Sequence, residues 1–187
     1  MLKCNNQLAK VMLKIGKIQY GSKLKLLGWP FVFRFPKAQI IIGNNVTINS
    51  NFFSNLLGLY QRTIVVAKNN SRIIIGNNVG ISGATIYSWK SIIIGDNTLV
   101  GANVKIVDND FHPIDPEARK QKINEKTGVS PVTIGNNVFI GMNTLILKGA
   151  EIGDNCVVGA GAVVTGKFPN NCIICGNPAR IVKKIPK

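Results

Sequence analysis

An aliphatic residue recurs every six positions along much of this chain, and this period limits the fold more than any other feature. The β-branched aliphatic residues that share the frame are Ile42, Ile48, Ile75, Ile81, Ile94, Val100, Ile106, Ile134, Ile140, Ile146, Ile152, Val158 and Val164. A unit of six residues cannot bury its aliphatic face alone, whereas stacked units form one continuous internal column. A helix would need apolar residues three and four positions apart, and antiparallel hairpins seldom keep one period so long. The period therefore predicts an all-β solenoid.

Short segments that read Ile-Gly-Asn-Asn or Ile-Gly-Asp-Asn mark the predicted turns of this solenoid. They occupy residues 42–45, 75–78, 94–97, 134–137 and 152–155. Glycine and asparagine adopt left-handed backbone angles at low cost. We therefore expect each segment to turn the chain from one strand of the coil to the next.

The length of 187 residues fits one domain with a sizeable core. We predict a basic cap over residues 1–36, the solenoid over residues 37–170 and a basic tail over residues 171–187. The ends are expected to act as covers, because exposed parallel strand edges invite aggregation.

The cap combines apolar and basic residues. Leu8, Met12 and Ile15 are separated by lysines, which predicts a short amphipathic helix or an irregular first coil. A solvated cap is one interpretation of this segment, and contact with a membrane surface or a lipid carrier is the other. Trp29, Phe31, Phe33 and Phe35 alternate as in a strand, so we expect them to cover the first coil or to contribute to a subunit contact.

The formal net charge of +15 would suit nucleic acid, an anionic membrane or a phosphorylated ligand. The basic clusters comprise Lys3, Lys10, Lys14, Lys17, Lys23, Lys25, Arg34 and Lys37 at the start, and Arg180, Lys183, Lys184 and Lys187 at the end. No apolar run is long enough to span a bilayer, and the N-terminus lacks the features of a signal peptide. The sequence therefore predicts a cytoplasmic protein that is either free or peripheral at the inner face of the membrane.

The four cysteines suit that compartment as free thiols. Cys172 and Cys175 form a C-x-x-C pair, but no second pair and no nearby histidine completes a zinc site. We predict structural thiols and no metal.

The repeat is interrupted at residues 107–131. This insert contains His112, the only histidine of the chain, within the sequence DNDFHPIDPEARK at residues 108–120. Long loops in compact folds are usually functional, and a neutral imidazole suits proton abstraction near neutral pH. We predict that His112 is a general base. Asp108, Asp110 or a backbone carbonyl would orient its ring, and Glu117 and Arg119 are expected to pair with each other across the loop.

The hexapeptide frame, the FHPI segment around His112, the GAGAVVTG segment at residues 159–166 and the NPAR segment of the tail together resemble the hexapeptide-repeat acyltransferases. The resemblance covers roughly residues 40–187. Within the family, the chain resembles the sugar O-acetyltransferases related to galactoside and maltose acetyltransferases. It implies a left-handed parallel β-helix with three hexapeptides per triangular coil, a homotrimer with active sites between subunits, acetyl-coenzyme A as co-substrate and His112 as the general base.

The same resemblance implies which residues contact coenzyme A. Its pantetheine would lie in a groove between two subunits, and the implied contacts are Gly141, Met142, Gly159, Ala160, Thr165, Gly166 and Lys167, with Arg180 and Lys183 at the phosphates. The chain departs from the usual pattern at Ala162, where serine is common, and at Gly166, where lysine is common. Lys167 is one position later and is expected to compensate.

The acceptor side departs further from the resemblance. The stretch ISGATIYSWK at residues 81–90 contains no asparagine and no acid, although related sugar acetyltransferases often carry an asparagine and acids here. Ser82, Trp89 and Asp110 are our candidate acceptor contacts. Trp89 would either stack on a pyranose ring or contribute to the subunit contact.

The leading hypothesis is therefore an acetyl-CoA-dependent transfer to a sugar hydroxyl, in surface-polysaccharide or glycan biosynthesis. N-acetylation of an amino sugar and acetylation of an antibiotic are the alternatives. A γ-class carbonic anhydrase needs three histidines at one metal, and this chain has one. A nucleic-acid binder or a scaffold would leave the histidine loop and the NPAR segment unexplained.

Overall fold

The computed structural model describes the backbone of residues 2–186 and the side chains of residues 7–186. The side chains of Lys3 and Cys4, and the whole of Lys187, lie outside the described residues, so the predictions that involve them have no structural counterpart.

In the described part of the chain, the strands form three sheets in which each strand pairs in parallel with strands of the neighbouring coils, except the last strand of the chain, which pairs antiparallel. Sheet I contains β1 (Gln19–Tyr20), β4 (Gln39–Ile42), β7 (Arg72–Ile75), β10 (Ser91–Ile94), β13 (Val132–Ile134), β16 (Glu151–Ile152) and β19 (Lys167–Phe168). Sheet II contains β2 (Lys25–Gly28), β5 (Thr47–Ser50), β8 (Gly80–Ser82), β11 (Leu99–Val100), β14 (Phe139–Ile140), β17 (Val157–Val158), β20 (Cys172–Gly176) and β21 (Ala179–Lys184). Sheet III contains β3 (Phe31–Arg34), β6 (Ile64–Ala67), β9 (Thr85–Ser88), β12 (Lys105–Val107), β15 (Leu145–Ile146) and β18 (Val163–Val164).

The chain visits sheets I, II and III in rotation, so three successive strands make one triangular coil. The solenoid is therefore a prism with three edges, which we call edge I–II, edge II–III and edge III–I after the sheets that meet there. The aliphatic positions of the six-residue frame are all buried, with at most 3% of any side chain exposed. This column of isoleucine and valine is the core that the period predicts.

Edge I–II holds the Gly-Asn turns and shows two separate reasons for their composition. The last asparagine of each turn has a positive φ, as at Asn45 (55°) and Asn137 (53°), and its side chain donates to the next coil, as from Asn45 Nδ2 to Asn78 Oδ1 over 2.9 Å. The glycines do not adopt that angle. A Cβ on Gly43 would lie 2.5 Å from the carbonyl oxygen of Gly76 in the next coil, so glycine is needed there for close packing between coils.

The N-terminal end begins with helix α1 (Leu2–Ile15), which confirms the helical alternative for the cap. Ala9 and Leu13 are buried against the first coil. That coil consists of β1, β2 and β3, so the solenoid begins at residue 19, before the boundary at residue 36 that the sequence suggested. The repeat was missed there because residues 19–34 lack the glycine-asparagine turn. Among the described residues, no helix has both the length and the apolar composition that crossing a bilayer requires.

The C-terminal end folds back on the last coil. After the turn at Asn177–Pro178, β21 pairs antiparallel with β20 at the end of sheet II, and this hairpin covers the edge of β20, the last strand of the parallel stack in that sheet. Within β20, Cys172 is buried and Cys175 is half-buried. They alternate with respect to the core, so they point to opposite faces of the strand.

Candidate active site

The predicted insert is an excursion from edge III–I that occupies residues 108–131, between β12 and β13. Its base is closed by an antiparallel bridge between Asn109 and Val129 and by a 2.9 Å hydrogen bond from Ser130 N to Asp108 O. Its tip contains the short helix α2 (Pro116–Lys120) and a 3₁₀ turn (Asn124–Lys126). Asp115 caps α2 by accepting from Glu117 N over 3.0 Å. The excursion is therefore a hydrogen-bonded unit.

Asp108 anchors this excursion to the neighbouring coil. Its side chain is fully buried, and its carboxylate accepts from the backbone N–H groups of Trp89 (2.7 Å), Lys90 (2.8 Å) and Ser91 (2.8 Å). The hydroxyl of Ser88 donates to it over 2.7 Å. With both oxygens engaged by the turn at residues 88–91, Asp108 fixes where the excursion leaves the prism and does not hold the imidazole.

Asp110 is engaged elsewhere as well. Its carboxylate lies 3.3 Å from Lys148 Nζ, and its backbone carbonyl accepts from His112 N over 2.7 Å. Among the described residues, no group hydrogen-bonds to the ring of His112. Neither aspartate therefore orients the imidazole within one chain. Among the described residues of the same subunit, no backbone carbonyl takes that role either.

His112 is exposed and follows a tight turn that directs the chain past an aromatic cluster. Phe111 has a φ of 61°, an uncommon angle for such a residue, and its N–H donates to Asn109 Oδ1 over 3.0 Å. The ring of Phe111 lies 5.2 Å from Tyr87 and 6.3 Å from Trp89, measured between centroids. His112 thus directly follows a residue of an aromatic cluster on edge III–I.

Arg119 holds the segment that follows His112. It does not pair with Glu117 as predicted, but donates to the carbonyl oxygens of Pro113 (2.9 Å) and Ile114. The guanidinium therefore fixes the backbone directly after the imidazole, which is a role that sequence spacing alone did not indicate.

A groove of about 440 Å³ runs along edge II–III. Four of the predicted coenzyme contacts, Gly141, Met142, Gly159 and Ala160, line it together with apolar side chains such as that of Phe139. The lining is mainly backbone and apolar groups, which suits a flexible, largely uncharged chain such as pantetheine.

A second excursion, at residues 51–63, also leaves the prism at edge II–III and was not predicted from the sequence. It connects β5 with β6 and contains a 3₁₀ turn (Phe52–Ser54). Two of its residues, Asn55 and Leu57, line the groove. The interruption of the six-residue frame after Ile48 could have indicated this excursion. The segment contains no histidine and no acid, so it offered no candidate for proton transfer.

The remaining candidate residues lie at other places on the prism. Thr165, Gly166 and Lys167 follow β18 at edge III–I, and Lys167 Nζ is 2.7 Å from Glu151 Oε1 in an exposed ion pair. Arg180 and Lys183 are exposed on β21. Ser82 ends β8 at edge II–III, where its hydroxyl accepts from Asn49 over 3.0 Å, whereas Trp89 lies at edge III–I beside Phe111. One chain therefore carries its histidine and its groove on different edges.

Comparisons with known proteins give the family. The family described as "Bacterial transferase hexapeptide (six repeats)" matches residues 131–166, and "Hexapeptide repeat of succinyl-transferase" matches residues 91–106. WbbJ of Escherichia coli (strain K12), provisionally named as an O-acetyl transferase of lipopolysaccharide biosynthesis, is 33% identical over 163 residues, which are 82% of this chain and 78% of WbbJ. This chain belongs to the hexapeptide-repeat acyltransferases.

Other hexapeptide-repeat acyltransferases are also similar. Galactoside O-acetyltransferase of Escherichia coli (strain K12) is 40% identical over 150 residues. The aligned residues are 80% of this chain but only 59% of that enzyme. A hexapeptide-repeat-containing acetyltransferase of Vibrio cholerae O1 biovar eltor, solved in complex with acetyl-coenzyme A, matches with a TM-score of 0.58 at 20% identity, over 100% of this chain and 81% of that one. The predicted fold, a left-handed parallel β-helix, is confirmed.

Proposed function

We propose that this chain is an acetyl-CoA-dependent O-acetyltransferase that acts on a sugar hydroxyl in surface-polysaccharide or glycan biosynthesis, with His112 as general base. One observation carries the proposal. The only imidazole of the chain is exposed on an excursion that a buried carboxylate anchors, and it directly follows Phe111 of the aromatic cluster. The names of the relatives WbbJ and galactoside O-acetyltransferase support transfer of an acetyl group to oxygen.

The chemistry needs little beyond this imidazole. His112 would take the proton of the acceptor hydroxyl while its oxygen attacks the thioester carbonyl carbon. The tetrahedral intermediate would then collapse, the C–S bond would break, and the imidazolium would return the proton to the departing thiolate. Holding the acceptor and the thioester together supplies much of the rate, and backbone N–H groups of the groove are the available donors to the oxyanion.

The donor would lie along edge II–III. The apolar groove at Gly141, Met142 and Ala160 suits pantetheine, and the exposed cations Arg180 and Lys183 suit the phosphates. Thr165, Gly166 and Lys167 would contact the donor from edge III–I of another subunit. Lys167 is available for this contact because an exposed ion pair such as that with Glu151 contributes at most about 1 kcal/mol.

A homotrimer would unite the two halves of the site. The groove and the imidazole lie on different edges of one prism, so a neighbouring subunit must bring its edge III–I to the groove. The outer face of sheet III supports such a contact, because Phe31, Phe33 and Leu145 are exposed there. Cyclic symmetry uses the same pair of surfaces at each interface.

The acceptor would bind beside the aromatic cluster. Trp89 and Tyr87 offer ring faces that suit a pyranose, and Asp110 is close to His112 in the chain although Lys148 engages it. Ser82 lies at edge II–III and would reach the acceptor only across the subunit boundary. N-acetylation of an amino sugar or acetylation of an antibiotic would use the same base and donor.

The function is tested by incubating the protein and isotopically labelled acetyl-CoA with a glycan pool, then analysing the glycans by mass spectrometry. We expect label in an alkali-labile ester on a sugar, together with release of free coenzyme A thiol. Label in an alkali-stable amide would favour the N-acetylation alternative. The absence of both label and thiol release across glycans, amino sugars and antibiotics would contradict the proposal.

The cap suits contact with an anionic membrane that carries the acceptor. Leu8, Val11, Met12 and Ile15 form an exposed apolar stripe on α1, while Ala9 and Leu13 pack inward. No acidic residue precedes Asp96, so the N-terminal coils carry only positive formal charge. Such basic amphipathic helices lie in the interface of anionic bilayers.

We expect the protein to sediment with vesicles that contain phosphatidylglycerol but not with vesicles of phosphatidylcholine alone. Ile15→Ser should weaken this binding at least about tenfold, because burying an isoleucine side chain contributes about 1.5–3 kcal/mol. Ile114→Ser is the matched control, because Ile15 is 77% exposed and Ile114, in the histidine excursion, is 74% exposed. Equal weakening by both substitutions, or equal binding to both vesicles, would contradict the membrane contact.

A further inference from the structure

We propose that Leu57, on the excursion at residues 51–63, closes the end of the donor groove and restricts the enzyme to short acyl groups. This inference rests on the proposed binding of acyl-coenzyme A along edge II–III, and it assigns a specificity role to a segment that the six-residue frame does not explain.

The excursion lies along the edge that carries the groove. Asn103 Nδ2 donates to Gly58 O over 3.0 Å, and Gln61 Nε2 donates to Gly83 O (3.0 Å) and Thr85 Oγ1 (2.8 Å). Leu59 is buried, with 4% exposed. These contacts all follow Leu57 in the chain and connect the excursion to the coils that contain β8 and β11.

A further contact extends along the edge towards the C-terminal coils. Tyr60 Oη donates to Asn143 Oδ1 over 3.4 Å, and the ammonium of Lys105 lies 5.5 Å from the Tyr60 ring centroid. Burial lowers the pKa of Lys105, and the ring face provides a favourable contact for a cation that has left water. These contacts hold residues 58–61 of the excursion against the edge, directly after Leu57.

The position of Leu57 in the groove follows from its neighbours. The groove is lined in the C-terminal direction by Gly159 and Ala160, which follow β17, and in the N-terminal direction by Gly101 and Ala102, which follow β11. Leu57 belongs to the excursion that descends from the N-terminal side. The carbonyl oxygen of the next residue, Gly58, accepts from Asn103 in the coil of Gly101 and Ala102. This contact places Leu57 at the level of that coil, at the N-terminal end of the groove, and the residue is 61% exposed there.

The direction of the donor follows from charge. The exposed cations Arg180 and Lys183 are on β21 at the C-terminal end of the prism, so the phosphates would bind there and the acyl end would point towards the N-terminal end. The histidine excursion leaves from β12, which is in the same coil as Gly101 and Ala102. Rotation about an axis parallel to the prism keeps each coil at its own height, so a neighbour's imidazole would meet the thioester at the level of Leu57.

The steric consequence is a limit on acyl length. An acetyl group adds one methyl beyond the thioester carbonyl, whereas a hexanoyl chain would extend into the wall that Leu57 forms. In an apolar pocket, a single methylene changes discrimination by about tenfold or more. We expect the affinity of the protein to be similar for coenzyme A and acetyl-CoA and at least about tenfold weaker for hexanoyl-CoA.

The test measures dissociation constants by calorimetry for coenzyme A, acetyl-CoA, butanoyl-CoA and hexanoyl-CoA, and therefore requires no acceptor. Leu57→Ala should strengthen hexanoyl-CoA binding by about fivefold or more relative to coenzyme A, because it removes three carbon atoms from the wall. Leu56→Ala is the matched control: Leu56 is the adjacent residue of the same type, is 86% exposed and does not line the groove.

The outcomes separate the two proposals. If coenzyme A itself does not bind the wild-type protein, the proposed function loses its donor and this inference falls with it. If coenzyme A binds but the wild-type protein does not discriminate by acyl length, or Leu57→Ala and Leu56→Ala change the profile equally, the donor assignment stands and the role of Leu57 is wrong.

Discussion

Replacing His112 with glutamine lowers the turnover number by about 100- to 10,000-fold, which is the usual contribution of general acid–base catalysis. Glutamine has a similar size and still hydrogen-bonds, but it cannot accept a proton at neutral pH. The dissociation constant of coenzyme A should stay within about twofold of the wild-type value. The base acts on the acceptor in the transition state, so binding of the donor in the ground state does not depend on it. Thiol release from acetyl-CoA in the presence of an identified acceptor gives the rate, and calorimetry gives the affinity.

Ile114→Ala provides the control for this substitution. Ile114 is in the same excursion, is 74% exposed and lies two residues from His112, so its loss tests whether any change near the imidazole lowers the rate. We expect activity close to that of the wild-type protein. A His112→Gln variant that retains more than about a third of the wild-type turnover would remove His112 from the role of base, because a general base contributes at least about 100-fold.

Replacing Asp108 with alanine destabilises the protein by about 3 kcal/mol or more, although Asp108 touches no reacting atom. The substitution leaves the partly buried N–H groups of Trp89 and Lys90 and the buried N–H group of Ser91 without their acceptor, and a buried donor without a partner costs about 1–3 kcal/mol. The base of the histidine excursion also loses its connection to the turn at residues 88–91. Urea unfolding should therefore show a lower midpoint, and turnover should fall as well.

Two variants separate anchoring from a general loss of stability. Asp108→Asn keeps the size and one acceptor oxygen, so it should recover part of both stability and turnover. Asp115→Ala removes the exposed cap of α2 in the same excursion, together with an exposed 3.9 Å ion pair with Lys126, and should cost about 0.5–2 kcal/mol, the usual value for a helix cap. An unchanged unfolding midpoint in Asp108→Ala would show that the carboxylate does not anchor the excursion.

The six-residue period was sufficient to predict the solenoid and its core. Each aliphatic residue of the frame packs against equivalent residues one coil away, so a local repeat in sequence repeats the same contacts in space. The sequence also indicated His112 as the candidate base, because it is the only imidazole and it lies where the repeat stops. The Gly-Asn turns were predicted correctly as turns, but for glycine the reason differed. The chain needs glycine where two coils approach closely, and only the stacked structure shows that approach.

The tertiary structure decided what sequence spacing could not, because the path of an excursion depends on contacts with residues far away in the chain. Asp108 and Asp110 flank the same short stretch, yet Asp108 is buried under residues 88–91 and Asp110 lies beside Lys148. The excursion at residues 51–63 reaches Asn103 and Asn143, which no local pattern indicates. The period by itself determined that the chain coils and where the coil is interrupted. Only the folded prism decided that the groove and the imidazole lie on different edges, because the edge from which an excursion leaves depends on how the strands rotate through the three sheets.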